Sequence, residues 1–189
     1  MAIVICDMSV SLDGYVTGPN DSRENPFGDG AHTLHDWLSD AATDADRALL
    51  RECLDGTGAI VMGRKSFDKN EGDGGWGDAG PNGDTPCFVV THNAPERQHP
   101  PVYTFVTDGI EAAIAQAKDV AGDKAVGLHG ATVMQQALPL GLVDEFRLHV
   151  VPVLVGGVTP LFAGLAEAVS LQRTDVVVTP GATHLRFSV

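Results

Sequence analysis

Positive charge is what this 189-residue chain has least of: 12 Lys and Arg stand against 25 Asp and Glu, for a net charge of −13 at pH 7. A surface of that sign repels phosphate backbones and anionic lipid, so neither nucleic acid nor a membrane is an expected partner. A small anionic ligand would need its own local cations. Cysteine is scarce and odd in number. Cys6, Cys53 and Cys87 each sit in or beside an apolar run, at spacings that suit neither a disulfide framework nor a metal site. Buried, reduced thiols and a cytoplasmic protein are the expectation. The opening stretch MAIVICDMSVSLDG has no basic leader and meets Asp7 after few apolar residues, unlike a signal peptide. No apolar run approaches the roughly 20 residues that span a bilayer. Repeats, low-complexity tracts and linkers are also missing, so residues 1–189 read as a single domain. The GxGxxG fingerprint of a Rossmann unit is absent, as is an acid at its expected distance beyond the first strand.

With 43% hydrophobic and 20% charged residues the composition is that of a globular protein. The organising stretch is 125–141, AVGLHGATVMQQALPLG. Ala125 to Leu128 reads as a buried strand, His129 to Thr132 as a tight turn of small residues, and Val133 to Leu138 as a helix stopped by Pro139 and Gly141. A strand that runs through glycine into a helix aims free N–H groups and the positive end of the helix dipole at one point, which suits a phosphate. Tight packing alone also explains such a glycine.

The remaining segments repeat the strand-then-helix theme. Residues 2–9 read as a central strand, with Tyr15-Val16 extended after the Asp13-Gly14 turn. A long polar loop covers 17–31. A helix is expected over 33–38 and another over 44–54, capped by Thr43 or Asp44 and carrying Ala45, Ala48, Leu49 and Cys53 on its apolar stripe. Strands follow at 59–62, 87–91 and 102–106, with a loop over 71–86 and a helix over 110–120 capped by Asp108. The 145–155 strand is interrupted by Pro152, which suggests an edge or a bulge. Strands 175–179 and 185–189 form a hairpin across Pro180-Gly181. The expected fold is α/β: a central, mostly parallel mixed sheet between helical layers, with an antiparallel C-terminal hairpin.

Three motifs carry a resemblance. They are Ser11-Leu12-Asp13-Gly14-Tyr15-Val16, then Met62-Gly63-Arg64-Lys65-Ser66-Phe67, and the run from Gly141 through Asp144-Glu145-Phe146-Arg147-Leu148-His149 to Gly156-Gly157. In this order, over nearly the whole chain, they resemble the dihydrofolate-reductase-like superfamily, a three-layer α-β-α sandwich. The branch is that of the C-terminal reductase domain of the bifunctional riboflavin-biosynthesis deaminase/reductase. The resemblance implies NADPH as hydride donor. Its phosphates would meet Gly63, Arg64, Lys65 and Ser66, its adenosine Thr91 and His92, and its pyrophosphate Gly130, Ala131, Thr132 and Val133.

The chemistry of the residues agrees in part. A 2′-phosphate needs a cation, and Arg64 and Lys65 stand where a strand ends against a helix start; a solvated surface pair is the plain alternative. Hydride transfer also calls for a proton source. Asp13, beside the first loop, and Asp36, near the place where folate-reducing relatives bind the pterin, are the catalytic candidates. A turn former and a helix-surface acid are their simpler roles. Trp37 and Trp76 could line a pocket for a flat ring. His149 reads as a core-edge histidine or a dimer contact, and Asp144-Glu145 as solvated. Arg23 and Arg47 are the basic residues available to a phosphoribosyl substrate. The expected activity is reduction of a small heterocycle, a pyrimidine of the riboflavin pathway or a pterin, with a non-catalytic nucleotide-binding dimer and a phosphate-binding protein of unrelated fold as the alternatives. The apolar strand 146–154 and the terminal hairpin offer an edge to a second copy, so a homodimer is expected.

Overall fold

A near-continuous apolar run needs cover on both faces, and the strands here receive it. The computed structural model describes residues 2–71 and 75–189, so positions 72–74 of the expected 71–86 loop lie outside the described residues. Eight strands form one sheet in the order β5-β4-β3-β6-β1-β7-β10-β9. In chain order they are β1 (Val4–Ser11), β3 (Thr57–Gly63), β4 (Cys87–Val90), β5 (Tyr103–Val106), β6 (Ala125–His129), β7 (Glu145–Val151), β9 (Gln172–Val178) and β10 (Thr183–Ser188). The first six of these pair in parallel, and β10 runs antiparallel to both β7 and β9. Two short strands, β2 (Tyr15–Thr17) and β8 (Thr159–Pro160), make a separate antiparallel pair. The fold is the mixed, mostly parallel sheet with an antiparallel C-terminal pair that the pattern predicts.

Period-2 alternation divides each strand between two faces. Val4, Cys6, Ala59, Val61, Val126, Leu128, Phe146 and Leu148 pack with α3 (Ile110–Ala121) and α4 (Ala131–Ala137) into the main core. On the opposite face Ile60, Met62, Cys87 and Val89 pack with Phe67 of α2 (Arg64–Asn70). Leu34 and Trp37, on a 3-10 helix (Ala31–Leu38), pack with Val151 and Ala182.

Several expectations need correction. β7 is an interior strand between β1 and β10, and Pro152 lies just past its end. The exposed edge of this side is β9. The N-cap of α3 is Gly109, with no side-chain cap, so Asp108 does not serve. In α1 (Asp44–Gly56) the sole buried residue is Asp46; Ala45 and Ala48 are exposed, and Leu49 and Cys53 are half-buried against a cavity. Cys53 is thus not a core thiol, although burial pushes it up to about 12. Asp144 is not simply solvated: its carboxylate accepts the Val4 N–H at 2.7 Å. Glu145 pairs with Arg147 at 2.6 Å. Among the described residues no helix is long and apolar enough to cross a membrane.

Candidate functional site

Two strand-to-helix turns lie against each other. Between β6 and α4 the chain passes through Gly130 at φ 100° and ψ 149°, a conformation that belongs to glycine. A Cβ placed there would stand 3.9 Å from Ser66 Cβ and Oγ, and one on Gly63 would stand 3.7 Å from Val133. Ser66 Oγ is 3.0 Å from His129 Nδ1, which bridges the turns directly. Burial pushes the His129 imidazole down to about 4, so the ring is neutral near pH 7. α4 has only seven residues, so its dipole adds little; the anion-holding capacity lies in the unpaired N–H groups of the turn and in nearby cations.

A cavity of about 700 Å³ runs along the carboxyl ends of β5, β4, β3, β6 and β1, where open α/β sheets hold ligands. Gly63, Arg64, Lys65 and Ser66 line it from one turn, and Gly130, Ala131, Thr132 and Val133 from the other. Thr91 and His92 line it from the end of β4. All ten residues nominated for a dinucleotide therefore share one cleft.

Arg64 and Lys65 are the accessible cations there, whereas Lys69 is in a largely buried pair with Asp21. Arg64 donates from Nε to Asp68 at 2.6 Å, with its side chain still 39% exposed. Lys69 and Lys65 both reach Asp21, at 2.6 and 3.0 Å, which fastens the 18–30 loop over α2. Burial works against the Asp21 carboxylate, but hydrogen bonds from Lys69 and Lys65 hold it below its usual range.

The other end of the cavity is apolar with a few polar groups. Phe27, Trp37, Leu49 and Leu50 line it, with Thr17 and His35 among them. Thr17 Oγ1 and His35 Nδ1 are buried and, among the described residues, have no hydrogen-bond partner. Buried polar atoms rarely go unpaired, and both residues line the cavity. Burial lowers the His35 pKa, which keeps that ring neutral. Trp37 lines the cavity, as the sequence suggests; Trp76 instead packs edge-on against His129 at 5.2 Å.

A line of ionisable groups leads away from this end. Ser9, His149 and His184 are register neighbours on β1, β7 and β10 and share the sheet face opposite α3. His149 Nε2 is 2.8 Å from Asp7 Oδ1, and its Nδ1 is 2.7 Å from His184 Nδ1. His184 Nε2 is 2.9 Å from Asp46 Oδ1, and Asp46 Oδ2 accepts the N–H and hydroxyl of Thr43, each at 2.7 Å. His149 is therefore buried within the chain. Trp37 packs against both imidazoles, tilted on His149 with centroids 4.3 Å apart and edge-on to His184 at 5.0 Å, and its Nε1 donates to Ser9 at 2.9 Å.

The two acids nominated for catalysis do not reach the cavity. Asp13 accepts N–H bonds from Val155 and Gly156 at 3.2 and 2.8 Å. A hydrogen bond from Ser11, with those two, holds its carboxyl below the usual range. It is a loop fastener. Asp36 is exposed on the 3-10 helix. Arg23 pairs with Glu71 at 3.8 Å and Arg47 with Asp44 at 4.0 Å, both away from the cavity lining. Among the described residues two acids do line it: Asp21, which is paired with Lys65 and Lys69, and Asp7, which no Lys or Arg pairs with there. A lone carboxylate inside an otherwise apolar central strand was the available signal. For His35, Thr17 and His184 no local motif exists, because the fold alone assembles them.

Residues 2–185 match the model of the RibD C-terminal domain. The Bacillus subtilis (strain 168) protein YyaP, uncharacterized, is 28% identical over 188 residues, covering 91% of this chain and 86% of that protein. A crystal structure of a Shewanella sp. PV-4 protein named for riboflavin biosynthesis superposes with a TM-score of 0.71 at 24% identity, over 100% of this chain and 98% of that one. Dihydrofolate reductase from Enterococcus faecalis, complexed with NADP(H), superposes with a TM-score of 0.58 at 14% identity, over 98% and 95%.

Proposed function

The chain belongs to the RibD C-terminal domain family, and from that premise we propose that it is an NADPH-dependent reductase of a small, flat, uncharged heterocycle. One observation carries the reading: two separate strand-to-helix turns, one bearing Arg64 and one bending at Gly130, converge on a single cleft with Ser66 and His129 in contact between them. The residues fit a dinucleotide phosphate. Small side chains let it approach the backbone, Ser66 offers a hydroxyl, and Arg64 offers a guanidinium that trades Asp68 for a 2′-phosphate. When bound, NADPH supplies the hydride. The chain's own part is to hold it with its ring toward Asp7 and Trp37, and to keep water from an apolar substrate end.

The cavity-lining Lys and Arg among the described residues are Arg64, Lys65 and Lys69, all on α2. The substrate end has none. This favours an uncharged ring, such as a pterin or a bare pyrimidine, over a phosphoribosyl compound, whose phosphate would lie there without a counter-charge. Phe27 and Trp37 supply faces for the ring, and Thr17 Oγ1 and His35 Nδ1 supply partners for its edge.

We also propose a homodimer. Residues 162–176 are exposed throughout, with Phe162, Leu165, Val169 and Leu171 among them, and β9 is an open edge. A second copy would cover that surface.

Titrating the chain with NADPH and NADH by fluorescence tests the cofactor assignment. NADPH should bind more tightly, and Arg64→Ala should weaken NADPH roughly tenfold to a hundredfold, the loss of one charge-assisted bond, while leaving NADH as it was. Equal affinities for both cofactors, in parent and variant alike, contradict it.

A further inference from the structure

We propose that Asp7 delivers the proton that accompanies hydride transfer, and that His149, His184 and Asp46 store and resupply it. This rests on the reductase reading above. Taken as hydrogen bonds, the three contacts set the proton count, against the burial and the neighbouring His149 that lower the His184 pKa. Three contacts link Asp7, His149, His184 and Asp46 in a line, at 2.8, 2.7 and 2.9 Å. Each needs one bridging proton, since two lone pairs at such distances repel and two N–H groups collide. Two neutral imidazoles with ionised carboxylates at both ends supply only two. The line therefore holds one proton more than its neutral rings would carry, with a carboxylate at each end and the Trp37 ring tilted against the His149 imidazole.

The line is a conduit rather than a metal cage: among the described residues no three His, Cys, Asp or Glu groups converge to hold an ion. One end is sealed, with Asp46 only 2% exposed and fully hydrogen-bonded to Thr43. The other end opens on the cavity through Asp7. A second, small cavity of about 20 Å³ borders Asp7, His149 and His184, enough for one water and a route for refilling.

The step balances. The carbon of a C=N or C=O bond in the substrate takes the hydride, and the π pair moves to the heteroatom. His149 Nε2 passes its proton to the Asp7 carboxylate, and the carboxylic acid so formed gives a proton to that atom and is a carboxylate again. The imidazole pair is then one proton short, and a proton from solvent restores it. Asp7 is the catalytic residue; His149, His184 and Asp46 are positioning residues that act through it.

The test uses the full chain with ¹⁵N-labelled histidine, together with Asp7→Asn. Long-range ¹H–¹⁵N spectra near neutral pH should show three ring N–H protons across the four nitrogens of His149 and His184, with one proton shared between the Nδ1 atoms. Asp7→Asn should leave the NADPH Kd unchanged and lower kcat with dihydropterin as probe acceptor by about a hundredfold or more, the usual worth of a general acid. Two ring N–H protons in the parent, or equal kcat in the variant, overturns the relay even if NADPH binds. A parent that shows the three protons but binds no NADPH overturns the reductase reading, and the donor role with it.

Discussion

His129 matters because it is neutral. Its Nδ1 either accepts the Ser66 hydroxyl proton or donates to the Ser66 oxygen, and only the second arrangement leaves the hydroxyl free to donate to an anion in the cleft. Neutrality also makes it a pH liability. Its pKa falls from 6.5 in the unfolded chain to about 4 in the fold. The folded protein therefore resists a proton that the unfolded chain accepts, and stability present above 6.5 is lost as pH falls toward 4. The limit is about 3 kcal/mol. Urea unfolding at the two ends of that range should show the parent losing about this much more stability than His129→Gln. Equal losses would show that the ring is not held neutral by the fold. Asp13 teaches a different lesson at this scale. Its Asp-Gly turn is legible in the sequence; that its carboxylate faces the Val155 and Gly156 N–H groups and not the cavity is not, because proximity to a loop says nothing of where a carboxylate points.

Among the elements, α1 shows where periodicity stops being informative. The spacing of Ala45, Ala48, Leu49 and Cys53 gives the helix, and Thr43 does cap it. The pattern cannot say what the stripe meets: Leu49 and Cys53 line the cavity, and Ala45 and Ala48 are exposed. The helix is instead fastened by polar contacts. Asp46 closes the capping box with Thr43 and also holds His184 across 138 positions of sequence. Burial opposes the Asp46 carboxylate, and hydrogen bonds from Thr43, Thr179 and His184 nonetheless keep it below its usual range. Thr43→Ala should thus cost about 1 kcal/mol, an ordinary cap loss. Asp46→Ala should cost about 3 kcal/mol, because it strands a buried histidine as well. Denaturant titration of both variants checks this, and equal losses would reduce Asp46 to a cap.

The whole molecule was legible as a parallel sheet with a terminal hairpin, because apolar strands alternated with helices and a Pro-Gly turn closed the chain. Strand order was not. Pro152 suggested an edge near β7, but the chain had already left the sheet at Val151. The edge on this side, β9, opens with Gln172, Arg173, Thr174 and Asp175 and is apolar only over Val176 to Val178, too short a run to stand out by hydropathy. Val176 and Val178 on it are 42% and 73% exposed. If β9 meets its own copy, light scattering should find a dimer, and Val176→Lys with Val178→Lys should give a folded monomer. A parent that stays monomeric at high concentration contradicts the pairing. The site was the least legible part, since Asp7, Thr17, His35, His149 and His184 come from five separate segments and meet only in the fold.

A crystal structure of the chain with NADPH is the decisive measurement. The pyrophosphate should lie between Ser66 and Gly130, the 2′-phosphate on Arg64, and the nicotinamide should turn toward Asp7. A cofactor bound elsewhere, or a nicotinamide facing away from Asp7 and Trp37, would contradict the reductase reading.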